Sequence, residues 1–200
     1  MKNLGILISG RGSNLEAIAQ SAAAGEIPAR ISIVISSREG ARGLDRAREL
    51  DLNARCLPSQ GLPRSAFEQE LRASLDEAQV DFICLAGFMR VLSPEFVRRY
   101  PGRILNIHPS LLPAFPGADA QKQALEHGVK VSGCTVHLVD EGVDTGPIIL
   151  QSAVPVMDDD TLETLSARIL AQEHRLYPQG VRLLAEGRIR IEGRRVLLKQ

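Results

Sequence analysis

From residue 4 to residue 107 the sequence alternates short, branched apolar runs with longer segments whose apolar residues recur at helical spacing. Residues 4–9 form the first run, and Gly10-Arg11-Gly12 breaks it. Ser13 then opens a helical pattern to about Ala24, with Leu15, Ile18 and Ala19 on one face and Gly25 as its stop. Residues 30–36, 54–57, 80–85 and 103–107 read as further strands. Residues 41–50, 65–78 and 94–100 read as helices between them, the last with Ser93 as cap and Pro94 in its first turn. Strand-like runs with no polar alternation must be buried on both faces. Alternating with helices, they require a parallel sheet covered on both sides. The expected fold is therefore α/β and Rossmann-like, with a mostly parallel central sheet and helices on both faces.

The second half changes character. Residues 131–139 and 147–156 are two extended runs, expected as antiparallel additions on one side of the sheet. A long helix is expected from about Thr161 to near Tyr177, stopped by Pro178. Residues 189–198 read as a hairpin turning at Glu192-Gly193. No repeat, low-complexity stretch or linker divides the chain, so a single domain over residues 1–200 is expected.

Charge narrows the partners. The 24 basic and 24 acidic residues cancel, and no long basic run occurs, which argues against nucleic acid. The apolar stretch after Met1-Lys2-Asn3 is about six residues, too short for a signal core or a membrane span. Cys56, Cys84 and Cys134 are far apart, form no metal pattern, and suit reduced thiols. The expected setting is cytoplasmic, with no membrane partner and no metal.

Two groups of residues carry chemistry. Gly12, Ser13 and Asn14 lie at a strand-to-helix turn, where glycine permits close backbone approach and the helix N-terminus favours an anion. The dinucleotide fingerprint lacks its third glycine and the Walker loop is absent, so a phosphate monoester is the better match. Asn106 and His108 sit at the end of a buried strand with period-two spacing, hence on one side. Asp144 lies in the acidic, glycine-containing stretch 139–147. There Asp140 and Glu141 read equally well as a solvated turn. His127, His137 and His174 read as structural histidines. With no Gly-x-Ser-x-Gly nucleophile motif, an Asn, His and Asp set suits acyl-type transfer to a substrate that is already nucleophilic.

Residues 106–113 (NIHPSLLP) and 140–149 (DEGVDTGPII) resemble the hallmark segments of the formyltetrahydrofolate-dependent transferases. Residues 7–15, 85–93 and 172–178 are similar to the phosphoribosylglycinamide formyltransferase branch of that family. The resemblance implies formyl transfer from 10-formyltetrahydrofolate to glycinamide ribonucleotide in purine biosynthesis, by a monomer or homodimer. It implies that Gly12, Ser13 and Asn14 hold the nucleotide phosphate and that Glu173 helps bind that nucleotide. It places Arg64, Met89, Arg90, Val91, Leu92, Asp140, Glu141, Gly142, Val143 and Asp144 in the folate site, with Asn106 shared, and makes Asn106, His108 and Asp144 catalytic. Relatives often carry histidines after the Phe-Pro-Gly turn. Here Phe115-Pro116-Gly117 is followed by Ala118-Asp119-Ala120-Gln121-Lys122. The same family includes a formyltetrahydrofolate deformylase, which uses water as nucleophile. That reading and a non-catalytic nucleotide-binding module are the alternatives.

Overall fold

A computed structural model describes residues 1–199, so the last residue of the expected domain lies outside the described part. Five parallel strands come first: β1 (Lys2–Ile8), β2 (Ala29–Ser36), β3 (Ala54–Cys56), β4 (Phe82–Leu85) and β5 (Ile104–His108). Four helices connect them: α1 (Ser13–Ala23), α2 (Arg42–Glu49), α3 (Arg64–Glu77) and α4 (Pro94–Arg99). After β5 come α5 (Ala120–Glu126), β6 (Val131–Leu138), β7 (Ile148–Pro155), α6 (Leu162–Ala185) and the hairpin β8 (Ile189–Glu192) with β9 (Arg195–Leu198). All nine strands form one sheet in the order β3-β2-β1-β4-β5-β6-β7-β9-β8.

The strand order reverses between β1 and β4, which are parallel neighbours. At such a switch point the two following loops diverge and leave a crevice at the carboxyl ends of the strands. β6 and β7 extend the sheet antiparallel, as the two extended runs imply. Leu15, Ile18, Leu44, Leu165, Ile169 and Tyr177 pack on one face of the sheet. Phe67, Leu71, Phe96 and Tyr100 cover the other.

Pro178 does not end α6, which continues through it to Ala185. An interior proline forfeits one backbone bond and costs about 3 kcal/mol. Beyond it, Val181 and Leu184 are buried, and each such side chain contributes roughly 1.5–3 kcal/mol. Burial of the extra turns outweighs the break. Helix α5 was not foreseen: it has seven residues, with Ala120 and Ala124 as its buried positions, too little for a periodic signal.

Candidate active site

The crevice is a cleft of about 890 Å³. Its walls are the Gly10–Asn14 turn after β1, the loop after β4, the end of β5, the loop between β6 and β7, and one face of α6. Two separate stretches of sequence, the end of β5 and the loop between β6 and β7, thus deliver Asn106, His108 and Asp144 to one place.

His108 is 4% exposed. Its Nε2 donates to the Phe115 carbonyl at 2.8 Å, and its Nδ1 lies 3.2 Å from Asp144 Oδ2. Both ring nitrogens therefore face acceptors, an arrangement that suits the doubly protonated ring. Burial opposes this and holds the pKa of His108 below its ordinary value. The Phe115 carbonyl and the Asp144 carboxylate pull it back up, while His137 lowers it. Burial alone would raise the Asp144 carboxyl. The neighbouring His137 ring, the Gly117 N–H and the charge of His108 together outweigh burial and hold it below the usual range.

Asp144 is the hub. The Gly117 N–H donates to its Oδ2 at 2.8 Å, and Asn106 Nδ2 approaches its Oδ1 at 3.4 Å. Its own backbone is left-handed, with φ of 53°. That conformation costs an L residue roughly 1–2 kcal/mol, and Asp is among the residues that tolerate it best. The loop around it is closely packed: a Cβ on Gly146 would fall 1.8 Å from the Leu138 carbonyl oxygen.

His137, read from the sequence as structural, belongs to this group. It is 1% exposed and is the antiparallel partner of Asn106. Its Nδ1 lies 2.9 Å from the Leu138 carbonyl, which can only accept, so that nitrogen carries the proton. Nε2 then accepts from Asn106 Nδ2 at 3.1 Å and lies 3.5 Å from Asp144 Oδ1. The signal was the register of β6 against β5, which spacing along one strand does not contain.

At one end of the cleft, Gly12 has φ of 78° and caps α1. Asn14 and Glu173, 159 positions apart, meet there: Asn14 Nδ2 donates to Glu173 Oε2 at 2.8 Å. Asn14 Oδ1 is buried without a hydrogen-bond partner, in a residue that lines the cleft. Burial raises the pKa of the Glu173 carboxyl, with Asn14 and Arg11 acting against the rise.

At the other end, Met89 (77% exposed), Val91 (58%) and Val143 (48%) present apolar surface. Ser9 Oγ accepts from the Met89 N–H at 2.9 Å, fixing the start of that loop. Arg90 stacks over Phe67 with its guanidinium 5.3 Å from the ring centre, and donates to the Ser59 carbonyl at 3.2 Å. Leu92 is buried. Asp140 is committed within its own loop, accepting from Gly142 N–H at 3.1 Å and from the Thr145 hydroxyl at 2.6 Å. Glu141 pairs with Arg98 at 2.9 Å, and neither it nor Arg64, exposed at the head of α3, lines the cleft. In the segment after Phe115-Pro116, Gly117, Ala118, Asp119 and Gln121 line the cleft. Among the described residues no helix is long and apolar enough to cross a membrane, and no cluster of three His, Cys, Asp or Glu is arranged to hold a metal ion.

Comparison with known proteins fits this geometry. Residues 2–181 match the family model described as formyl transferase. The trifunctional purine biosynthetic protein adenosine-3 of Drosophila pseudoobscura pseudoobscura is 50% identical over 192 residues, covering 94% of this chain but only 14% of that longer protein. The phosphoribosylglycinamide formyltransferase of Escherichia coli (strain K12) is 43% identical over 190 residues, covering 94% of this chain and 90% of the relative. The crystal structure of glycinamide ribonucleotide transformylase 1 from Symbiobacterium toebii superposes with a TM-score of 0.97 at 55% identity, covering 100% of this chain and 95% of the other. With the cleft, the switch point and the family segments all in register, the chain belongs to the formyl transferase family, in its phosphoribosylglycinamide formyltransferase branch.

Proposed function

We propose that this protein transfers a formyl group from 10-formyltetrahydrofolate to the amine of 5-phosphoribosylglycinamide, a step of purine biosynthesis. One observation carries the reading: Asn106, His108 and Asp144 line the same cleft as a polar group at Gly12, Ser13, Asn14 and Glu173, mostly buried, and an exposed apolar group at Met89 and Val91. The polar end suits the nucleotide. Backbone N–H groups at the start of α1 would take the phosphate, and the unpartnered Asn14 Oδ1 and the Glu173 carboxyl would take sugar hydroxyls. The apolar walls suit a flat pterin, with backbone groups of the loops at 89–92 and 140–144 reading its edge.

In this reading the amine attacks the formyl carbon directly, so the protein supplies no covalent nucleophile. As negative charge grows on the formyl oxygen, the Asn106 amide donates to it, and the His108 Nδ1–H, which faces Asp144 in the resting site, is shared with it. One well-aimed donor of this kind is worth about 2.7–4 kcal/mol. His137 holds the Asn106 amide by accepting one of its protons, leaving the other to move from Asp144 toward the oxygen. Asp144 stabilises His108 as it becomes charged, and carries a proton between the attacking and leaving nitrogens.

The alternative is hydrolysis, with water in place of the amine. The built polar end of the cleft favours transfer, because release of formate to water needs no nucleotide site. Incubation with 10-formyltetrahydrofolate, with and without glycinamide ribonucleotide, separates the two. Formyl loss that requires the nucleotide supports transfer, and equal loss without it overturns the reading.

A further inference from the structure

The loop that carries Asp144 is held from outside the family-matched region. Thr145, the next residue, is fixed at two atoms. Its hydroxyl donates to Asp140 Oδ1 at 2.6 Å, within the loop. Its carbonyl accepts from Arg194 Nη2 at 3.0 Å. Arg194 sits in the turn between β8 and β9, beyond residue 181, where the family match ends. The hairpin reaches the loop because β9 joins the sheet at Ile148↔Arg195, at the point where the chain leaves the loop and enters β7. Arg194 has no carboxylate ion-pair partner among the described residues, so this carbonyl is its anchoring contact.

We infer that the C-terminal hairpin is a positioning element for the active site. Through Arg194 it holds the Thr145 carbonyl and so helps keep Asp144 in its left-handed conformation. There the carboxylate meets His108 Nδ1 and the Gly117 N–H. Arg194 is a positioning residue: it acts through Thr145 and touches none of the reacting groups. Two neighbouring contacts make its hold effective. Asp140 ties the other end of Thr145, and Gly146 packs so closely on the Leu138 carbonyl that a side chain there would not fit. With the Thr145 hydroxyl and carbonyl both held, the Thr145 Cα is fixed, and the Asp144–Thr145 peptide attached to it loses freedom. The inference rests on the role given to Asp144 above.

The test uses the full chain with Arg194→Ala, Arg194→Lys and, as a control, Arg195→Ala, an exposed neighbour. Arg194→Ala should lower kcat by about threefold to tenfold, the scale of one ordinary hydrogen bond, as suits this exposed one. The KM for the nucleotide should hold, because Gly12, Asn14 and Glu173 sit on other elements. Arg194→Lys should restore most of the rate, since an ammonium can also donate to the carbonyl. Two readouts report placement without activity: faster exchange of the Gly117 amide, and a lower pKa for His108 as the carboxylate moves off. Unchanged kcat and Gly117 exchange in Arg194→Ala would overturn the inference. An equal loss of rate in Arg195→Ala would also overturn it, because that points to the hairpin's general stability. If wild-type protein transfers no formyl group, the catalytic reading fails, while Gly117 exchange and His108 titration still judge the brace.

Discussion

The two ends of the cleft are built on opposite terms. At the end proposed for the nucleotide the groups are polar and already buried. Asn14 keeps an unpaired oxygen, and Glu173 keeps a carboxyl that its surroundings do not fully compensate. At the end proposed for the folate the side chains are apolar and still wet, as the exposure of Met89 and Val91 shows. One end spends folding stability in advance to be complementary to its ligand, and the other waits for a ligand to cover it. A substitution at the first should therefore change stability as well as binding. At the second it should change binding alone.

The largest effect is expected between the ends. Asn106→Ala or His108→Ala should each lower kcat by about a hundredfold to a thousandfold, the usual loss for one oxyanion donor. Both ligands should still bind. The double variant should lose less than the two single losses combined, because both donors serve one oxygen. Calorimetric titration with each ligand checks this, and loss of both binding events would show that centre and ends are not separable.

Gly12→Val should come next. A Cβ there would stand 2.5 Å from the Gly43 Cα, on a residue with φ of 78°. The cost should be about 2 kcal/mol or more, seen as a lower urea midpoint together with lost nucleotide binding. An unchanged midpoint would show that the turn is not preset. Glu173→Gln should act in the opposite direction. The raised pKa means that Glu173 is fully tolerated below its unfolded value of about 4.5, and that stability is lost as pH rises through the folded value. The amide variant should therefore be more stable than wild type at neutral pH, equal to it well below pH 4.5, and weaker in nucleotide binding. A stability gain that persists unchanged into acid would contradict this. The smallest effect on the fold should come from Met89→Ser, with stability within about 0.5 kcal/mol of wild type. Affinity for a folate analogue should nonetheless fall, as titration would show.

The parallel half of the fold was legible because strands buried on both faces write continuous apolar runs, as in residues 4–8 and 82–85. The nucleotide turn and the pair Asn106 and His108 were legible for the same reason: each follows directly from where a strand ends. Features set by packing between distant segments were not. Pro178 reads locally as a helix stop, yet the burial of Val181 and Leu184 carries α6 past it. His137 resembles any strand histidine until β6 is laid against β5 and it meets Asn106. Arg194 lies about fifty residues from the loop it contacts, and no spacing rule connects them. The family resemblance gave Arg64 and Glu141 a place at the folate site, but neither lines the cleft, and Glu141 is held by Arg98 on α4.

The central claim is that Asp144 supports the charged form of His108 against the burial that disfavours it. Asp144→Asn keeps the shape and removes the charge, so the most direct measurement is an NMR titration of His108 in both proteins, alongside kcat. The pKa of His108, already below its ordinary value, should fall further in the variant, and kcat should fall with it while nucleotide affinity holds. An unchanged His108 titration with activity lost would contradict the account and leave Asp144 as a carrier of protons alone.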